Sequence, residues 1–175
     1  SNTYALEVGF NEVVLVDVGN FDTTDFLKWL AENNKTLTHV LLTHEHADHT
    51  AGLDDIRPFN FKQGALSVYA HKRVIQNLER RFDYIFEKEN RYPGAPSVET
   101  YEVKENEPFS INKTQVIPIN AYHGSLQVFG YMINDFVYLT DVKTIEQQEI
   151  NKIFNCKVLV INCLREERHN THFNL

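Results

Sequence analysis

The sequence predicts a layered α/β fold, and three observations carry that reading. Strand-like apolar runs come first as a hairpin-like pair and then alternate with segments of helical periodicity, a succession that favours layers over an all-β barrel. Hydrophobic residues make up 42% of the 175 residues and aromatic residues 12%, enough to bury a core without disulfides or a structural metal. No internal repeat, low-complexity tract or Gly/Ser linker interrupts the chain, so a single domain over residues 1–175 is expected.

The elements follow in order. Tyr4–Val8 and Glu12–Asp17 read as strands on either side of the turn-forming Gly9-Phe10-Asn11. Thr24 is placed to cap a helix in which Phe26, Leu27 and Leu30 recur at the spacing of one apolar face. His39–Thr43 has the look of a short buried strand. Leu66–Ala70 is another, leading into a helix over Lys72–Phe86 with Val74, Leu78, Phe82 and Ile85 on one side. Tyr92-Pro93-Gly94-Ala95-Pro96 forces a loop. Beyond it, Glu99–Val103, Thr114–Ala121, Val128–Ile133 and Phe136–Thr140 read as strands and Ile145–Phe154 as a helix. Lys157–Cys163 is the most apolar strand of the chain.

Charge and cysteines narrow the functional classes. With 24 acidic against 17 basic residues the net charge is −7, a poor basis for sequence-independent nucleic-acid binding, which draws on clustered Lys and Arg. No apolar run approaches the ~20 residues of a membrane span, and the first residues show no basic stretch followed by an apolar core. Cys156 and Cys163 flank one apolar run. As a strand, that run holds them roughly 23 Å apart, well beyond the ~7 Å that a disulfide tolerates. Free thiols and a cytoplasmic location are therefore expected.

The chemistry is concentrated in Thr43-His44-Glu45-His46-Ala47-Asp48-His49. Three histidines and an aspartate fall within six residues, directly after an apolar strand and before a helix-compatible segment. At an extended strand end, residues two apart point the same way, so His44 and His46 can present imidazoles to one point. The chain then turns, and Asp48 with His49 faces a second. Imidazole and carboxylate suit zinc, iron or manganese.

This His44-x-His46-x-Asp48-His49 pattern resembles the signature of the metallo-β-lactamase superfamily, and segments further along agree. Tyr122-His123-Gly124 resembles the family's isolated histidine, and Tyr138-Leu139-Thr140-Asp141 ends on an aspartate where the family places its bridging carboxylate. Gly52–Asn60 and the terminal Leu164-Arg165 … His169-x-x-His172-Phe173-x-Leu175 resemble the branch of phosphoribosyl cyclic phosphate diesterases and, more distantly, ribonuclease Z. The resemblance implies an αββα sandwich. It also implies that His44, His46 and His123 hold one metal, that Asp48 and His49 hold a second, and that Asp141 lies between them. Two divalent ions are thus the expected cofactors, zinc first, with manganese or iron as alternatives.

Such a pair of ions shares a water, lowers its pKa and holds a hydroxide nucleophile while clamping phosphate oxygens. A general acid must protonate the leaving alkoxide; the resemblance points to His172, with His169 as a second candidate. Asp48 and His172 are the candidate catalytic residues. The expected function is a metal-dependent hydrolase cleaving a small cyclic or nucleotide-like phosphodiester. A tRNA-processing nuclease and a non-catalytic metal-binding or self-associating fragment are the alternatives.

The chain departs from the family pattern at both ends. The N-terminal strand with its Gly-rich turn is missing, and so is the Thr-His-x-Ser-like segment that supplies the second metal's last histidine. The expectation is a fragment of a longer enzyme. Alternatively, His169 or His172 replaces the lost ligand, or only one metal binds tightly. Unpaired sheet edges would then invite a homo-oligomer. Asp54, Asp55 and Arg57 read as an ion pair or helix cap, Glu45 as solvent-facing, and His39 and His71 as structural or exposed. Phe59, Phe61, Tyr69, Phe82, Tyr84 and Phe86 read as packing residues.

Overall fold

The computed structural model describes residues 2–19, 22–87, 89 and 91–174. The chain divides into two compact units, residues 1–103 and residues 104–175, each with its own sheet.

In the first unit, β1 (Tyr4–Glu7) and β2 (Glu12–Val16) form the antiparallel pair expected, Tyr4 opposite Val16 and Glu7 opposite Val13. Three parallel strands complete the order β1-β2-β3-β4-β5: β3 (Thr36–Leu41), β4 (Leu66–His71) and β5 (Val98–Val103). Val13, Val14, Leu15 and Val16 are all buried, the pattern of a strand covered on both faces. The helices are α1 (Thr23–Glu32), α2 (Ala47–Thr50), α3 (Arg57–Gln63), α4 (Lys72–Arg81) and α5 (Asp83–Phe86), with a 3₁₀ turn over Ala51–Ile56. Leu30 of α1, Phe59 of α3 and Val74 and Leu78 of α4 share one core with Val13, Leu15, Val40, Leu42, Val68 and Ala70. Each such apolar side chain contributes ~1.5–3 kcal/mol by leaving water.

Three expectations shift here. The cap of α1 is Asp22 rather than Thr24: its carboxylate accepts from the backbone N–H of Thr24 at 2.8 Å and of Asp25 at 3.3 Å, and an ionised acceptor suits the positive end of a helix. The helix expected over Lys72–Phe86 breaks at Phe82, whose φ of −123° ends α4 before α5 starts. The strand expected over His39–Thr43 begins at Thr36 and ends at Leu41. Leu42 and Thr43 carry on in hydrogen bonding, Leu42 N–H to the Tyr69 carbonyl at 2.9 Å and Thr43 N–H to the Asp17 carboxylate at 2.9 Å.

The second unit is a six-stranded sheet in the order β10-β7-β8-β9-β11, with β6 beside β7. Its elements are β6 (Phe109–Ile111), β7 (Thr114–His123), β8 (Leu126–Ile133), β9 (Phe136–Leu139), β10 (Thr144–Ile145), α6 (Gln147–Ile153) and β11 (Val158–Ile161). Two-residue turns join β7 to β8 through Gly124-Ser125 and β8 to β9 through Asn134-Asp135; Gly124 at φ +63° and Asn134 at φ +53° supply the left-handed backbone such turns demand. β6 and β10, three and two residues long, are too short to show a period, and Ile145, expected in a helix, pairs with Ala121 instead. β11 runs parallel to β9 at the end of the sheet, with Val158 50%, Leu159 44% and Ile161 41% exposed. Cys156 and Cys163 are free thiols, as their spacing predicts. Among the described residues no helix is long and apolar enough to cross a membrane.

Candidate metal centre

The His-rich loop leaves β3 at the carboxyl end of a parallel strand, where open α/β sheets collect ligands. His44 and His49 are wholly buried, and His46 is exposed. The rings of His44 and His46 meet at a centroid distance of 4.6 Å with Nε2 of His44 3.1 Å from Nδ1 of His46. His44 and His49 lie 4.1 Å apart, and Nε2 of His49 is 3.4 Å from the Asp48 carboxylate, itself 59% exposed. The alternation of strand-end residues followed by the turn of α2 accounts for both pairs.

Asp17 organises this loop, and nothing in the sequence pattern marks it. It follows β2 at φ +60° with no exposure. Its carboxylate accepts from the backbone N–H of Thr43, from the Thr43 hydroxyl and, at 2.8 Å, from Nδ1 of His49. The signal lay 32 residues from the histidine it serves, beyond the reach of any local pattern.

The second unit gathers His123, Asp141, His169 and His172. His123 ends β7, and its Nδ1 donates to the Thr171 carbonyl at 2.7 Å. Asp141 follows β9 at φ +53°, a left-handed position that aspartate tolerates. Nδ1 of His172 lies 3.4 Å from the Asp141 carboxylate and 3.4 Å from the Asn162 amide. Its ring is 4.6 Å from that of His123 and 4.9 Å from that of His169. The C-terminal segment is tied down: Phe173 packs on the core of this unit, and its N–H donates to the Val142 carbonyl at 2.8 Å. His169 accepts the Thr171 N–H at 3.2 Å and so braces the residue that holds His123. Leu175, the last residue of the segment that carried the resemblance, lies outside the described residues.

These imidazoles fit a metal. A ligating histidine ordinarily commits its second ring nitrogen to a carboxylate or a backbone carbonyl, and His49 does so on Asp17 and His123 on Thr171. A carbonyl only accepts, so Nδ1 of His123 carries the hydrogen and Nε2 the lone pair. The Asp48 carboxyl is pushed up by burial, yet the adjacent His49 and its own backbone N–H bring it below the ordinary value.

Other residues resolve differently. Glu45 does not face solvent: it pairs with Arg73 through Nε at 2.8 Å and Nη2 at 3.1 Å, because the alternation that aims His44 and His46 one way sends Glu45 the other, toward α4. Burial pushes its carboxyl up, but hydrogen bonds from Arg73 and the backbone hold it down overall. Arg57 pairs with Asp54 at 2.6 Å, as expected, and Tyr84 donates to the other Asp54 oxygen at 2.7 Å. Burial, with that bond second, pushes the Tyr84 phenol up. His71 caps α4 by accepting the Arg73 N–H, while His39 is half-buried beside Tyr69. Phe59 is core, whereas Phe61 is exposed.

Comparison with known proteins places this arrangement. Residues 14–175 match the Beta-lactamase superfamily domain. Over 138 residues the chain is 41% identical to the octanoyltransferase of Porphyromonas gingivalis, covering 78% of this chain and 28% of that protein. A crystal structure of a diphosphatase from the PhnP family superposes with a TM-score of 0.78 at 28% identity, covering 94% of this chain and 61% of that one. Zn(2+)-bound PqqB from Methylobacterium extorquens shares the fold, with a TM-score of 0.65 at 15% identity over 93% of this chain and 60% of that one. The chain thus spans about a quarter of the octanoyltransferase and about three fifths of each solved relative. With its mixed α/β architecture of two sheets, it belongs to the metallo-β-lactamase superfamily.

Proposed function

We propose that the chain is the catalytic part of a divalent-metal-dependent hydrolase that cleaves a phosphodiester, small and cyclic or nucleotide-like. Members of the superfamily are mostly hydrolases and generally bind divalent metals, zinc often among them. The observation that carries the reading is the commitment of Nδ1 in His49 and His123, which makes Nε2 the lone-pair nitrogen of each ring. The 28% identity to a diphosphatase over nearly the whole chain supports a phosphorus centre, rather than a carbonyl, as the point of attack. The acidic balance of the sequence makes a nucleic acid the weaker choice of partner.

In this reading the loop residues His44, His46, Asp48 and His49 and, in the second unit, His123 and Asp141 are those that would supply metal ligands. Zinc is the first choice, with manganese and iron as alternatives. When bound, the ions supply Lewis acidity to phosphate oxygens and lower the pKa of water. The remaining work belongs to the chain. Asp17 and the Thr171 carbonyl keep His49 and His123 in one tautomer and orientation. His172, its Nδ1 3.4 Å from the Asp141 carboxylate, would hold on Nε2 the proton that the leaving oxygen takes.

A second reading rests on the 41% identity to the octanoyltransferase: an acyl ester or thioester as substrate of the same residues. Bis(p-nitrophenyl) phosphate and p-nitrophenyl octanoate, each assayed with Zn²⁺ and with Mn²⁺, separate the two. Phosphodiester turnover is expected, and lost in Asp141→Ala; because p-nitrophenolate leaves without a proton, His172→Ala is expected to lose on the order of 100-fold only on a diester with an alkyl leaving group. Turnover no greater than that of Asp141→Ala overturns the first reading, and octanoate turnover alone moves the assignment to the second.

A further inference from the structure

We propose that Arg73 and Arg81, at the two ends of α4, clamp the His-rich loop and set its imidazoles for an ion; the inference rests on the metal-centre reading above. Glu45, between His44 and His46, is the point the clamp grips. Arg73 meets its carboxylate in a two-point pair, Nε to Oε1 at 2.8 Å and Nη2 to Oε2 at 3.1 Å. This geometry fixes orientation as well as distance, which a point charge cannot. The Glu45 side chain is only 15% exposed, so solvent screens the pair less than an ordinary surface contact. At the other end of the helix, Nη1 of Arg81 donates to the Glu45 carbonyl at 3.0 Å and to the Thr50 hydroxyl at 3.0 Å. That hydroxyl spends its one hydrogen on the His46 carbonyl, also at 3.0 Å. The carboxylate of Glu45 and two consecutive carbonyls of the loop are thereby tied to one helix.

That helix is a rigid anchor, since Val74 and Leu78 bury it in the core of the unit. Helix formation alone does not account for Arg73. It stands in the first turn beside Lys72, with no acidic residue there, and a cation at that end opposes the helix dipole. A residue that breaks a local rule and meets its compensation on the loop between two candidate ligands is placed for that loop. Residues 42–46 carry no helix or strand, so without the clamp their ordering must be drawn from metal-binding free energy and appears as lost affinity. Arg73 and Arg81 act through Glu45 and the loop backbone, which makes them positioning residues.

The test uses the whole chain, stripped of metal by a chelator. Zinc affinity is read by competition with a chromophoric chelator, and site geometry by the visible spectrum of the Co²⁺ form. Arg73→Ala and Arg81→Ala are each expected to weaken zinc binding on the order of tenfold and to alter the cobalt bands. Arg73→Lys, which keeps the charge and loses the two-point contact, is expected to recover only part of the affinity. Lys35→Ala, which breaks the pair with Glu7 elsewhere in the unit, is expected to leave affinity and spectrum unchanged. Wild-type affinity and an unaltered spectrum in both alanine variants overturn the clamp. If either alanine variant fails to fold, Arg73→Lys and Arg81→Lys carry the same comparison. A wild-type chain that takes up neither zinc nor cobalt overturns the metal-centre reading instead, and does so before any variant is made.

Discussion

Asp17 offers its carboxylate to three donors in a wholly buried setting, so its loss strands the Thr43 N–H and the His49 imidazole together. Asp17→Ala is expected to cost ~3 kcal/mol, since each stranded buried donor costs ~1–3 kcal/mol, and chemical denaturation of the metal-free chain measures it. Asp54 sets a pH dependence. The Arg57 hydrogen bond holds its carboxyl below the ordinary 3.8, against burial and with help from Tyr84. A carboxyl lowered in the folded state contributes stability that is complete above its unfolded value and fades as pH falls through the folded one. Melting temperature is therefore expected to drop on acidification below about pH 4, with a shallower drop in Asp54→Asn. The candidate ligands were legible because imidazoles and a carboxylate at two-residue spacing are rare in any other role. Asp17 and the Glu45–Arg73 pair were not, because their meaning depends on a partner far along the chain.

At the scale of elements, α4 joins the core to the loop. Leu78→Ala removes a fully buried side chain beneath the helix and is expected to cost ~3 kcal/mol in urea unfolding. The 3₁₀ turn after the loop depends on Gly52. Its N–H donates to the Val18 carbonyl at 2.8 Å, and a Cβ there would meet the Gly19 carbonyl, a backbone atom that cannot step aside cheaply. Gly52→Ala is accordingly expected to destabilise by ~1–3 kcal/mol, the usual range for an overpacked site, and thermal melts check it. Long periodic elements were readable in advance: the opening hairpin, α1 and the β7–β8 and β8–β9 pairs all stand close to their predicted residues. Elements of two or three residues and the break at Phe82 were not, since they answer to packing rather than to period.

For the whole molecule, metal content and association are the informative quantities. Elemental analysis of chain purified without chelators is expected to give two divalent ions per chain, the number that activation of a shared water calls for. β11 presents Val158, Leu159 and Ile161 at the end of its sheet, each more than two fifths exposed, and an apolar strand edge is a template for pairing. Light scattering at rising concentration is expected to show association that Val158→Lys with Ile161→Lys suppresses.

Residue order alone settled the kinds of donor, their place at strand ends and the alternation of strand and helix, because periodicity, turn chemistry and ligand spacing act over a few residues. What each nitrogen and carboxylate does was decided by tertiary contact. His49 takes its tautomer from Asp17 across 32 residues, and His123 takes its own from Thr171 across 48. Glu45 owes its direction to a strand end and its partner to a helix 28 residues on. Hydrogen bonds in a buried site are satisfied by whatever the fold brings near, and only the folded chain names those partners.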